Sequence, residues 1–362
     1  MIPSLKLKMA DGQDIQFSGE AAGLSLPKTS LTGDVNLQDV PIDSLLSQWP
    51  DTALPDVRAY MIKSLSGGDF AALNISFKGQ YDKSSQAMTV SNLALNGDVA
   101  QVGVDTGFGQ YEQFVGTANG SLAFEVASGG VLKQAAVELD VSDGYMRTTA
   151  MPSALRFDNA SASMRYRPGL FEARDVFVLF TTDGQFTANI DVGFNEARRL
   201  DDIKLTLQAP RLSGEVIRHL FPETLAPAVT DIIRTKIPEG WVQNASLLLA
   251  AQQETEKIGA DPQPLTITKL ELDASLSDMA FVYVEGQKPL RDITGLLTLR
   301  DNEMTIFLDN GVSEAFSLLS ANIRLAPLVS SGRQTQQLDI TADATSSVQD
   351  LLPLLQSPRI DI

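Results

Sequence analysis

The stretch FTANIDVGF, residues 186–194, sets Phe186, Ala188, Ile190, Val192 and Phe194 in alternation with Thr187, Asn189, Asp191 and Gly193. Successive side chains on a β-strand point to opposite faces, so this order makes one apolar face and one wetter face. Shorter versions recur at Ile75 and Phe77, at Leu93 and Leu95, at Leu122, Phe124 and Val126, and at Val137, Leu139 and Val141. They continue at Ile203, Leu205 and Leu207, at Leu247 and Leu249, at Leu270 and Leu272, at Leu297 and Leu299, and at Met304, Ile306 and Leu308. Turn-prone pairs at 96–97, 143–144, 183–184 and 301–302 separate several of these runs. That is the pattern of hairpins and meanders, and it predicts a mainly β chain.

Two stretches break the alternation with a helical period. In FPETLAPAVTDIIRTKIPEGW, residues 221–241, Leu225, Val229, Ile232, Ile233 and Ile237 follow spacings of three and four along one helix side. Pro222 and Pro227 fit the entry of that helix, Thr224 its cap, and Pro238 and Gly240 its end. Leu54, Val57, Met61 and Leu65 give the same stripe in WPDTALPDVRAYMIKSLSGGD, residues 49–69. Pro50 and Pro222, Pro55 and Pro227, Val57 and Val229, Met61 and Ile233, and Gly68 and Gly240 each lie 172 positions apart. Trp49 and Phe221 also correspond, as aromatic anchors of the two lead-ins. A shared offset through helix, stop signal and following strand indicates internal duplication. The expected division is a first unit over 1–206 with a helix near 52–66, a second over 207–348 with a helix near 223–237, and 349–362 as the start of a further, truncated unit.

Composition narrows the function. A chain of 362 residues that is 43% hydrophobic and 20% charged can bury a core. Its 28 Lys and Arg against 45 Asp and Glu give a net charge of -17, which opposes nucleic-acid backbones and general adhesion to anionic surfaces. There is no cysteine, and so no disulfide, thiolate nucleophile or cysteine-ligated metal. The longest apolar runs, VFVLF at 176–180 and LLLAA at 247–251, are far too short to span a bilayer as a helix.

Signals for catalysis are poor. His219 is the only histidine, and with Ser213 and Glu215 it forms no triad or nucleophile-elbow spacing. The acids of RRLDD at 198–202 lack calcium-loop spacing, and GFG at 107–109 lacks the third glycine of a dinucleotide site. No catalytic residue, metal ligand or cofactor is expected.

The lead-ins PIDSLLSQWPDTALPDVRAYMIKSLSGG, 41–68, and SGEVIRHLFPETLAPAVTDIIRTKIPEG, 213–240, each run into strand-like text. In this they resemble the YhdP-type branch of the AsmA-like superfamily. The resemblance implies a long curled antiparallel sheet forming an apolar trough from repeated units, with short amphipathic helices at the repeat junctions. It further implies a periplasmic segment of a bacterial envelope protein, the full-length parent anchored in the inner membrane. Such a segment would conduct phospholipid between the inner and outer membranes and meet envelope proteins at either membrane.

A trough is physically reasonable without the resemblance. A meander with one apolar face must cover that face with another sheet, with helices or with an apolar ligand. Candidate lining residues are Ile75, Phe77, Leu93, Leu95, Phe124, Val126, Phe186, Ile190, Leu205, Leu207, Leu247, Leu249, Leu297, Leu299, Ile306 and Leu308. The same residues would equally pack a closed sandwich, and the chain would then be a non-catalytic scaffold of the envelope. The helices read either as plugs or as gates.

Overall fold

The long β-meander is realised in a computed structural model of the chain. It describes residues 2–8, 14–48, 58–59, 62–63, 65–85, 87–108, 111–127, 131–148, 154–195, 200–220, 234–237, 239–253, 265–282, 288–300, 302–327, 337–347 and 349. The chain divides into two compact units, Met1–Val178 with Asp191–Arg199, and Leu179–Ile190 with Leu200–Ile362.

The first unit begins with β1 (Ile2–Lys8), β2 (Asp14–Ala22), β3 (Lys28–Pro41), the helix α1 (Ile42–Gln48), and the two-residue β4 (Leu65–Ser66). There follow β5 (Asp69–Asp82), β6 (Ala87–Phe108), β7 (Tyr111–Ala127), β8 (Leu132–Thr148), β9 (Leu155–Arg167) and β10 (Leu170–Phe180). Next are β11 (Gly184–Phe194), β12 (Leu200–Ser213), the helix α2 (Gly214–Leu220), β13 (Trp241–Gln253) and β14 (Leu265–Phe281). β15 (Leu290–Arg300), β16 (Glu303–Val312), β17 (Ser317–Ala326) and β18 (Gln337–Thr345) complete the order. The strands form one antiparallel sheet, eighteen-stranded when β4 is counted, that is not closed. This is the mainly β architecture that alternation predicts and the open sheet that the resemblance implies, with short helices among the described residues.

Register keeps the two faces of each unit apart. In the first unit Val35, Ile75, Leu95, Phe124 and Ala135 stand opposite one another from β3 to β8, and Phe77, Leu93 and Val126 form the next row. The other face carries Asn36, Asn74 and Asn96 in one row and Asp34 and Ser76 in another. There the Asn74 amide donates to Asn36 Oδ1 at 2.6 Å and the Ser76 hydroxyl to Asp34 at 2.6 Å. In the second unit Leu207, Leu247, Leu272, Leu299, Met304 and Leu325 make one apolar row from β12 to β17. On the opposite face Arg324 grips Glu303 through two 2.6 Å bonds, and Arg300 pairs with Asp273.

The duplication is visible in the elements themselves. β3 and α1 occupy 28–41 and 42–48, while β12 and α2 occupy 200–213 and 214–220, so both pairs are displaced by the 172 positions found in the sequence. The pairs Val35 with Ile75 and Leu37 with Leu73 become Leu207 with Leu247 and Ala209 with Ala245 under the same shift. Ile42 N–H donates to Gly68 O at 3.1 Å, and Gly214 N–H donates to Gly240 O at 2.8 Å. Each helix is therefore pinned to the glycine that opens the next strand.

α1 and α2 lie within the lead-ins, ahead of the stretches 52–66 and 223–237. Of those stretches Arg58, Ala59, Ile62 and Lys63, and Arg234 to Lys236, are helical, while 52–57, 60–61, 64 and 223–233 lie outside the described residues. Leu65 and Ser66 are not helical: they pair as β4 with Val104 and Gly103. The extended tail of β6 offers free backbone groups there, and a two-residue ladder satisfies them. The second unit answers with Val282 N–H on Lys236 O at 2.8 Å and Ala280 N–H on Glu239 O at 3.0 Å.

Candidate functional site

The apolar face of the first unit is built around α1. Ile42 and Leu46, one helical turn apart, sit with Leu37, Val40, Phe70, Leu73, Leu95, Val99 and Val102 in one buried cluster. α1 rests against β3 and β4. Val35, Ile75, Leu122, Phe124 and Leu139 adjoin the cluster but remain half-buried. Phe77 stacks against Phe17 with ring centroids 6.5 Å apart, and it too keeps part of its surface in water.

The second unit repeats this arrangement with different side chains. Ser213 Oγ accepts the Val216 N–H at 3.3 Å, capping α2. Val216 and Leu212 are buried beneath it, and α2 rests against β12. Arg218 donates to Ile237 O at 2.7 Å, holding the last helical turn to the approach of Gly240. Arg211 lies 3.7 Å from the Trp241 ring centre, a cation–π contact at the strand end. Farther along the strands, Leu299, Met304 and Leu325 are buried, with Leu270, Leu272, Leu297 and Ile306 half-buried around them.

Register places the candidate lining residues as follows. Ile75, Leu95 and Phe124 share one row of the first unit, and Phe77, Leu93 and Val126 share the next. In the second unit Leu205 stands opposite Leu249, Leu207 opposite Leu247, and Leu297 opposite Ile306; Leu299 and Leu308 lie two residues along from Leu297 and Ile306 on the same face. Phe186 and Ile190 occupy β11, where the Phe186 ring lies 6.0 Å from that of Phe180. Leu95, Val126, Phe186, Leu249, Leu299 and Leu308 are buried by the protein itself. These six belong to the core and present no free surface. Ile75, Phe77, Leu93, Phe124, Ile190, Leu205, Leu207, Leu247, Leu297 and Ile306 are half-buried. Alternation finds the face, but not which of its members the helix and neighbouring strands already cover.

Of the repeat motif, Gly68 and Gly240 have φ of 69° and 127° and immediately precede β5 and β13, the strands that pair with β3 and β12. Trp49, Pro50, Pro55, Phe221, Pro222 and Pro227 lie outside the described residues. Two expected turns, at 96–97 and 143–144, are instead inside β6 and β8. Gly97 lies under the side chains of Leu73 and Phe70, and Gly144 under the ring of Phe157; in each case the missing Cβ admits an apolar group across the strand.

Among the described residues no group of three or more Asp, Glu, His or Cys is placed to hold a metal. Ser213 serves as a helix cap, and the His219 side chain lies outside the described residues. No described helix is long and apolar enough to cross a membrane. Comparison with protein families, with curated proteins and with solved structures found no match.

Proposed function

We propose that this chain is a segment of a bacterial envelope protein that carries phospholipid by its acyl chains along the apolar faces of its sheet, between inner and outer membranes. The observation that carries this reading is that apolar rows run from strand to strand and leave members such as Ile75, Phe77, Phe124, Leu207, Leu247 and Leu297 half-buried, beside helices of only seven residues. An acyl chain laid along such rows gains about 0.8 kcal/mol for each methylene it buries. Neighbouring positions along a row are chemically alike, so no one of them holds the chain much more tightly than the next, and sliding is permitted. The work required is binding and guidance, so the chain is read as a carrier and not as an enzyme. The resemblance to YhdP-type proteins points the same way, and with it goes a periplasmic segment whose parent is anchored in the inner membrane and contacts envelope proteins at either side.

Photo-crosslinking in cells tests the proposal. A photoreactive residue at Phe124 or Leu297 should capture phospholipid, while one at Asn74, on the polar face, should not. Equal capture at all three, or capture of protein alone at Phe124 and Leu297, would favour the non-catalytic scaffold instead.

A further inference from the structure

The turn between β2 and β3 reads GLSLPK over 23–28, and it is internally braced. Leu26 N–H donates to Gly23 O at 2.8 Å, and the hydroxyl of the buried Thr29 reaches the same carbonyl at 3.4 Å. From the adjoining hairpin Lys83 N–H donates to Pro27 O at 3.0 Å, and the Lys83 ammonium donates to Leu24 O. The backbone is thus held from both sides. Its two leucines are nevertheless turned outward, Leu24 68% and Leu26 58% exposed. Scattered exposed leucines are ordinary on protein surfaces, but a pair two residues apart on a braced tip is a small apolar prow.

Charge distinguishes this tip. In a chain of net charge -17, the ionisable groups on the turn and the facing hairpin are Lys28, Lys83 and Asp82. The Asp82 carboxylate accepts the Ser84 hydroxyl at 2.6 Å and the Ser84 N–H at 2.8 Å, and Glu20 stands farther down β2. Two cations against one engaged carboxylate leave the tip locally positive. The β16–β17 turn offers a contrast: Val312 and Leu319 are exposed there too, but the charge between them, Glu314, is ion-paired with Lys288, which leaves no net positive charge.

A bilayer interface accepts apolar side chains to the depth of the acyl boundary, satisfied backbone, and lysines that remain among the phosphates. Anionic lipid attracts basic groups and repels an acidic protein surface. We propose that the β2–β3 turn is a membrane-contact tip: Leu24 and Leu26 enter the interface of an anionic phospholipid bilayer, while Lys28 and Lys83 lie at its phosphates. This goes beyond lipid carriage along the sheet, because it assigns the part of the first unit that touches a membrane whatever the apolar faces hold.

The absence of native cysteine allows a direct test on the full chain. Leu24→Cys and, as a control, Leu319→Cys are labelled with a polarity-sensitive fluorophore and mixed with two vesicle types. One type is phosphatidylethanolamine with phosphatidylglycerol, the other phosphatidylcholine alone. A blue-shifted, brighter emission at position 24 is expected with the anionic vesicles only, with position 319 unchanged. Adding Lys28→Glu and Lys83→Glu should abolish the shift, and Leu24→Asp with Leu26→Asp should lower vesicle partitioning of unlabelled protein at least about tenfold. Unchanged emission at position 24 with both vesicles, an equal change at 319, or a shift produced by raising protein concentration without vesicles would each overturn the proposal. A protein that holds phospholipid yet gives a silent tip refutes this inference alone, and a responsive tip on lipid-free protein leaves it standing.

Discussion

Arg324 on β17 stands opposite Thr305 and reaches diagonally to Glu303 on β16, and two 2.6 Å bonds hold the Glu303 carboxyl below the usual glutamate range. The hydrogen bond from Arg324 is the leading cause and its charge adds to it. Because the folded value is lowered, the contribution is complete above the ordinary glutamate value of 4.5 and is lost as pH falls through the folded one. Arg324→Ala should therefore lower the denaturation midpoint at neutral pH by a modest amount, as befits an exposed pair, and the gap from native protein should close on acidification. A gap independent of pH would mean that packing of the arginine stem, and not the ion pair, is what matters. Single residues also mark where the sequence misleads. Asn96–Gly97 and Asp143–Gly144 have the composition of hairpin turns, yet they lie in mid-strand because Phe70, Leu73 and Phe157 need the space of a missing Cβ. That demand comes from side chains on neighbouring strands, which no local pattern encodes.

At the scale of elements, the strand, helix and glycine module is the repeated part. Gly68 has φ of 69° and an added Cβ would stand 2.5 Å from Gln101 O; Gly240 has φ of 127° and the Cβ would meet Met279 Sδ at 2.3 Å. Gly67, with φ of 58°, has open space around it. Gly67→Ala should cost about 1–2 kcal/mol from backbone strain alone, while Gly68→Ala and Gly240→Ala should each cost more, through the clash as well. Equilibrium denaturation of the three variants checks this order. Equal losses at all three would show that the glycines serve conformation only. The 172-residue offset is legible in the sequence alone, because prolines and glycines punctuate both copies. The helices α1 and α2 are not: seven residues display barely two turns of periodicity, and the apolar positions of IDSLLSQ and GEVIRHL pass for a strand lead-in. The cap at Ser213 and the acid at Glu215 are the signals that mark the second of them.

For the whole molecule, the mainly β class follows from alternation carried through strand after strand, whereas alternation alone does not distinguish an open sheet from a closed sandwich, and strand length is what the short runs understate. β6 extends over 22 residues and β7, β8 and β14 over 17 each. Bulges at Lys78/Gly79 and, 172 positions on, at Ala250/Ala251 shift the ladder without ending it, which disguises long strands as several short ones. The apolar face is legible as a set; its division into core and half-buried members is not, since burial depends on which row the helix and adjoining strands cover. The proposed lipid carriage depends on the half-buried members. The most direct measurement is quantitative mass spectrometry of lipid extracted from purified, folded protein, native and with Ile75→Asp, Phe77→Asp and Leu207→Asp combined. Bound phospholipid in the native protein and its loss in a variant that keeps its β circular dichroism is the expected result; native protein free of lipid, or a variant that retains its full complement, would contradict it.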